Sequence, residues 1–153
     1  MPRIQLAVNV DDLDSSIAFY SKLLGVAPAK TKPGYANFAV SEPSLKLVLI
    51  ENLGKGGSIN HLGIEVSDVD TVDAEQARLA SAGLASVDER GTTCCYAKQD
   101  KFWVEGAPDG ERWEVYTVLE DADTFGEVPE GSTCGCCGKS SCDLVPSDAA
   151  CCA

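Results

Sequence analysis

Three side chains in this sequence could hold a divalent cation, and two more could hold a soft atom. His61 is the only histidine, and Gln5 occupies the matching place 61 − 5 = 56 positions earlier. Glu114, within Trp113-Glu114-Val115-Tyr116, alternates with apolar neighbours. It would place a carboxylate on a core-facing strand, which is costly unless the charge is paired or metal-bound. Imidazole nitrogen, carboxylate oxygen and amide oxygen make a mixed donor set suited to a first-row divalent metal. Cys94 and Cys95 are adjacent, and thiolate sulfur prefers soft metals and metalloids. The plainer alternatives are a packed histidine, a hydrogen-bonded strand amide, a surface-facing glutamate and two ordinary buried cysteines.

A repeat must position these groups. Ile4-Gln5-Leu6-Ala7-Val8-Asn9-Val10-Asp11-Asp12 matches Asn60-His61-Leu62-Gly63-Ile64-Glu65-Val66-Ser67-Asp68 at the same offset, which also brings Ala18 onto Ala74 and Leu23 onto Leu79. Such self-similarity marks a duplicated structural unit. Each copy reads as a strand, then a helix led by Asp12 or Asp68 as N-cap and closed near Gly25 or Gly83. Leu13, Ile17, Tyr20 and Leu24 recur at helical spacing and give the first helix one apolar stripe. Further strands are expected at about 36–40 and 45–50 in the first half, and at about 102–105 and 112–118 in the second. Lys32-Pro33-Gly34, Glu42-Pro43-Ser44 and Pro108-Asp109-Gly110 supply turns. Each half is then a βαβββ module, and the two modules pair into a partly closed, eight-stranded α+β cup.

In that cup the side chains of Gln5 and His61, on the two opening strands, converge on one interior point, and Glu114 reaches it from a neighbouring strand. Aligning Leu45-Lys46-Leu47-Val48-Leu49 with Arg112-Trp113-Glu114-Val115-Tyr116 puts Leu47 in the place equivalent to Glu114. No fourth protein ligand arises there, so coordination positions stay open. The offset of these strands is 114 − 47 = 67, against 56 for the opening strands, so the second half carries 67 − 56 = 11 extra residues in the region of Cys94 and Cys95. Consecutive residues of a regular strand face opposite ways, so two adjacent thiols can grip one atom only from a loop or irregular segment. Tyr96, Phe102 and Trp103 are candidate pocket walls, with core packing as the alternative.

The chain has 153 residues, a hydrophobic content of 44% and a formal net charge of −12. The length fits one domain with a real core. The acidic balance argues against nucleic acid and anionic membranes as partners. No apolar run is long enough to cross a membrane and no leader is evident, so a cytoplasmic protein is expected. The domain is placed at 1–120, with modules of about 1–55 and 56–120. Residues 121–153 lack apolar periodicity and hold six of the eight cysteines, Cys134, Cys136, Cys137, Cys142, Cys151 and Cys152. They read as a flexible tail, either a soft-metal scavenging arm or a solvated segment with reduced thiols. Since one chain carries both modules, a monomer completes the cup, and a homodimer is equally compatible.

The paired modules, the ligand on each opening strand and the Pro-Asp-Gly turn before an inward glutamate resemble the vicinal oxygen chelate superfamily. That group includes glyoxalase I, extradiol dioxygenases and bleomycin or fosfomycin resistance proteins. The resemblance covers about residues 2–120, and fold alone fixes no reaction. The segments Ile4-Gln5-Leu6-Ala7-Val8-Asn9-Val10, Pro33-Gly34-Tyr35-Ala36-Asn37-Phe38-Ala39 and Asn60-His61-Leu62-Gly63 resemble one subgroup more narrowly. So do Gly91-Thr92-Thr93-Cys94-Cys95-Tyr96-Ala97 and Glu111-Arg112-Trp113-Glu114-Val115-Tyr116-Thr117-Val118-Leu119. The subgroup contains organoarsenical carbon–arsenic lyases and the similar cadmium-induced proteins.

The resemblance implies a non-haem Fe(II) held by Gln5, His61 and Glu114, using dioxygen. It implies a trivalent organoarsenical, such as methylarsenite, held by Cys94 and Cys95 and split to arsenite. Because the Gln5 amide is a weaker donor than imidazole, Mn(II), Ni(II), Zn(II) or Co(II) could also occupy such a site. The alternative is a soft-metal-sequestering protein without turnover.

Overall fold

The computed structural model describes residues 2–127. The cysteine-rich run beyond them, with the six cysteines from Cys134 to Cys152, lies outside the described residues. Asp12 and Asp68 open the two helices as expected: Asp12 accepts from the Ser15 amide and Asp68 from the Thr71 amide, each at 2.8 Å. Both satisfy amide hydrogens that the first helical turn leaves unpaired. Helix α1 spans Leu13–Leu24 and α2 spans Val69–Ser81. Gly25 ends α1 at φ 69°, a left-handed conformation that glycine adopts without steric cost.

The strands are β1 (Arg3–Val10), β2 (Lys30–Lys32), β3 (Tyr35–Val40), β4 (Leu45–Glu51), β5 (Ile59–Glu65), β6 (Ser86–Cys94), β7 (Ala97–Val104), β8 (Trp113–Asp121) and β9 (Gly126–Glu127). Each module is therefore βαβββ, and together they form the eight-stranded α+β half-barrel of the vicinal oxygen chelate fold. The short β9 adds a ninth member, giving the order β2-β3-β4-β1-β5-β8-β7-β6-β9. The sheet thus runs past residue 120, and Phe125 is buried against Tyr35 and Tyr96.

The modules join where β1 and β5 pair antiparallel, with Gln5 opposite Gly63 and Ala7 opposite His61. Both helices cover the outer face of the sheet. The α1 stripe of Leu13, Ile17, Tyr20 and Leu24 packs on Phe38, Leu47 and Leu49, and α2 packs through Val72 and Leu79 on Phe102 and Val115. A third cluster lines the inner face: Ala7, Tyr35, Val48, Ile50, Cys94, Tyr96, Trp103 and Phe125.

Two expectations change here. β1 pairs β4 with Leu6 opposite Leu47 and Ala7 opposite Val48, while β5 pairs β8 with Leu62 opposite Trp113 and Gly63 opposite Glu114. The residue equivalent to Glu114 is therefore Val48, and the extra length is 114 − 48 − 56 = 10 residues. A shift of one residue exchanges the two faces of a strand. Leu47 packs outward under α1, whereas Val48 faces the cup. Val48 is as unable to ligate as Leu47. Phe102 is the second correction: it packs beneath α2 on the outer face, because its neighbour Trp103 takes the inner one.

Candidate metal and dithiol site

Gln5, His61 and Glu114 are all buried, and they meet on the inner face. Gln5 Nε2 lies 3.2 Å from His61 Nε2 and donates to Glu114 Oε1 at 3.0 Å, while His61 Nε2 is 3.4 Å from that same oxygen. Gly63 makes this meeting possible. It sits between Gln5 and Glu114 in the sheet, and a Cβ there would come within 3.2 Å of Glu114 Cγ and 3.3 Å of both Gln5 Cβ and Nε2. The two long side chains cross the gap left by the missing one.

A β-bulge aims the histidine. The β1–β5 register shifts at Ala7/Val8, so Asn60 has no place in the ladder, and its side chain comes beside that of His61. Asn60 donates through Nδ2 to Asn9 Oδ1 at 3.1 Å, leaving its Oδ1 to face His61 Nδ1 at 2.7 Å. Asn60 thus holds the ring by Nδ1, and Nε2 is the nitrogen turned toward Gln5 and Glu114. A metal-binding imidazole is oriented in this way, by a hydrogen-bond partner on its other nitrogen.

Lys101 is the partner that Glu114 requires. It is fully buried, donates from Nζ to Glu114 Oε2 at 2.9 Å, and lies 3.7 Å from Glu89 Oε2. Burial alone would push the Glu114 carboxyl up, but the Lys101 ammonium, followed by His61, outweighs it and holds the group well below the usual carboxylate range. For Lys101 burial acts to lower the pKa, and the charges of Glu114, Glu89 and Cys95 overcome it, so the amine is raised and stays protonated. Lys101 occupies Oε2 and leaves Oε1 turned to the other two groups.

The thiols sit at the β6–β7 turn. Cys94 ends β6 and pairs with Ala97, so Cys95 and Tyr96 form a two-residue hairpin loop. Both loop residues have positive φ, 54° and 59°. That is the conformation of a tight hairpin turn usually given to Asn-Gly, and it costs a side-chain-bearing residue roughly 1–2 kcal/mol. The result is that two consecutive sulfurs, which a strand would send to opposite faces, lie 3.4 Å apart. Cys94 is disulfide-bonded in this structure, so the vicinal pair is a dithiol only after reduction. The turn is anchored from several directions: Lys30 Nζ and the Ala122 amide donate to Tyr96 O, and Tyr96 Oη donates to Pro33 O at 3.2 Å.

Trp103 links the two parts. It packs in the cluster that holds Cys94 and Tyr96, and its ring meets His61 edge-on at 5.6 Å between centroids. Lys101 Nζ and the Arg112 guanidinium lie 4.9 and 4.5 Å from that ring's centroid.

A model of the glyoxalase/bleomycin resistance protein/dioxygenase superfamily matches residues 4–115. The chain belongs to that superfamily. Among its members, the cadmium-induced protein CadI of Mycobacterium tuberculosis (strain ATCC 25618 / H37Rv) is 59% identical over 143 residues, covering 90% of this chain and 93% of that protein. The trivalent organoarsenical cleaving enzyme of Thermomonospora curvata is 55% identical over 135 residues, covering 88% and 89%. Among solved structures, a Mn(II)-bound glyoxalase from Novosphingobium aromaticivorans superposes with a TM-score of 0.56 at 21% identity, over 84% of this chain and 44% of that one. At that identity the likeness concerns the fold alone.

The superfamily's metal-binding habit can be tested on this chain's donors. No group of three His, Cys, Asp or Glu side chains gathers among the described residues. The set here has two of those types plus an amide. It fits a divalent cation chemically: an imidazole nitrogen, an ionised carboxylate oxygen and an amide converge on the inner face.

Sequence reading missed Lys101, Gly63, Asn60 and Tyr116. The demand for a partner to Glu114 pointed toward Lys101, but the expected strand began at Phe102, one residue too late to include it.

Proposed function

We propose that this protein cleaves the carbon–arsenic bond of trivalent organoarsenicals such as methylarsenite, using Fe(II) held by Gln5, His61 and Glu114 and dioxygen as co-substrate. The observation that carries the reading is the joining, through Trp103, of a three-donor buried site to a vicinal cysteine pair in one cup. The 55% identity to an organoarsenical cleaving enzyme supports it.

In this reading Cys94 and Cys95, reduced, take the two exchangeable positions of a trivalent arsenic that bears one methyl group. Their strained turn fixes the sulfurs before the ligand arrives, so little ordering entropy remains to be lost on binding. Tyr96 and Trp103 form the walls and keep water from the arsenic. Glu114 stays ionised through Lys101, and Asn60 holds His61 with Nε2 facing the site. Fe(II) bound there would supply the activation of dioxygen that the cleavage needs. Holding the substrate beside the donor set makes the encounter effectively intramolecular.

The 59% identity to cadmium-induced proteins favours a second reading, thiol-based sequestration of soft metals or arsenic without turnover. Arsenic speciation after incubation of reduced, Fe(II)-loaded protein with methylarsenite separates the two. Arsenite that forms only with both iron and air is expected, with Glu114→Ala abolishing turnover and retaining arsenic. Unchanged methylarsenite bound to intact, iron-replete protein would overturn the lyase reading and leave sequestration.

A further inference from the structure

Tyr116 Oη lies within hydrogen-bond reach of two acceptors, Gln5 Oε1 and Glu65 Oε2, the latter at 2.8 Å. A phenol has one proton and cannot donate to both. Glu65 is also engaged by Arg3 at 3.0 Å and Lys46 at 3.2 Å, which keep it a carboxylate. A charged acceptor has the stronger claim on the proton. The lone pairs of Tyr116 then face Gln5 Oε1, oxygen against oxygen.

At its other end the Gln5 amide donates through Nε2 to Glu114 Oε1 and lies 3.2 Å from His61 Nε2. Half a turn about the Gln5 Cγ–Cδ bond exchanges the two ends. Nε2 would then donate to Tyr116 Oη, which donates onward to Glu65, and Oε1 would face His61 Nε2 and Glu114 Oε1. Without a cation that second setting sets an amide oxygen against the Glu114 carboxylate oxygen. Each setting is mispaired at one end, and a cation among His61, Glu114 and Gln5 would satisfy both.

We propose that Tyr116 and Glu65 form a hydrogen-bond latch that turns the amide oxygen of Gln5 toward the bound cation. Tyr116 is in this sense a positioning residue for the donor set. The inference rests on the metal-site reading above. It explains how a neutral amide with two nearly isosteric ends becomes a reliable oxygen ligand.

The test is equilibrium dialysis of Mn(II) against the full-length reduced protein, with no turnover measured. Tyr116→Phe is expected to weaken Mn(II) by tenfold or more, in the range seen when an outer partner of a metal ligand is removed. Glu65→Gln keeps the shape and reverses the bond polarity. Its amide can donate to Tyr116, which then donates to Gln5 Oε1 and stabilises the cation-free setting, so weaker Mn(II) binding is expected there too, while Glu65→Asp retains more affinity. In wild-type protein the side-chain NH2 signals of Gln5, assigned with Gln5→Glu, should shift when diamagnetic Zn(II) is added. Unchanged Mn(II) affinity in both Tyr116→Phe and Glu65→Gln would overturn the latch and leave the metal site standing. Absence of Mn(II) and Zn(II) binding in wild type would overturn both. Should Tyr116→Phe fail to fold, the Glu65 pair carries the test alone.

Discussion

Lys101 is the residue on which the buried chemistry depends. A carboxylate as deeply buried as Glu114 is tolerated because an equally buried ammonium sits 2.9 Å away. Removing one member of such a pair leaves an uncompensated charge, at a cost of about 3–5 kcal/mol. Lys101→Met is therefore expected to lower the urea midpoint sharply, while the double variant with Glu114→Gln recovers much of the loss. If Lys101→Met melts like wild type, Glu114 is not held as a buried carboxylate. Gly63 offers a gentler probe. Gly63→Ala forces Glu114 Cγ and Gln5 to give way by a few tenths of an ångström. Weaker Mn(II) binding with only a small change in stability is expected by dialysis and thermal melting. Lys101 and Gly63 show why residue roles were only partly legible. The sequence shows a glutamate that needs a partner, but not which lysine lies across the sheet or which absent side chain opens the path.

Among the elements, the β6–β7 hairpin is the one whose local preference conflicts with its conformation. Cys95 and Tyr96 both stand at positive φ with side chains present. At position 96 two effects oppose each other. Tyr96→Gly relieves roughly 1 kcal/mol of backbone strain. It also removes a ring packed on Tyr35 at 5.2 Å and Phe125 at 5.7 Å, and losing a buried aromatic costs roughly 3–5 kcal/mol. Packing wins, so Tyr96→Gly is expected to destabilise by about 2–4 kcal/mol in urea unfolding, the difference of those two magnitudes. Weaker retention of methylarsenite should accompany it, because the turn loses the ring that pins it. A more stable variant would mean that the ring contributes little and strain dominates. The irregular segment required by adjacent thiols was legible from the sequence. Its form as a two-residue turn was not, because no Asn-Gly or Gly marks it.

On the scale of the whole molecule, the donor set is drawn from β1, β5 and β8, and so from both modules. A cation bound there would tie the two modules together and bind only the folded chain. Free Mn(II) at one hundred times its Kd should add about 2.7 kcal/mol of stability, or roughly 8 °C in Tm for a chain of this size. Thermal melts with and without metal check this, and Glu114→Ala should abolish the shift; an unchanged wild-type Tm would argue against the site. The sequence by itself determined the duplication, since the 56-residue offset aligns strands, helix caps and the pair Gln5 and His61. It also determined the helix faces, because period and capping are local properties. Only the tertiary structure decided which strand neighbours meet. Val48 rather than Leu47 answers Glu114, Phe102 turns outward beneath α2, and Lys101 and Tyr116 reach the donors. The physical reason is that alternation along a strand gives two faces and leaves open which one is inside. Cross-strand register, a bulge and a side-chain-free gap make that choice, and each arises from residues far apart in the chain.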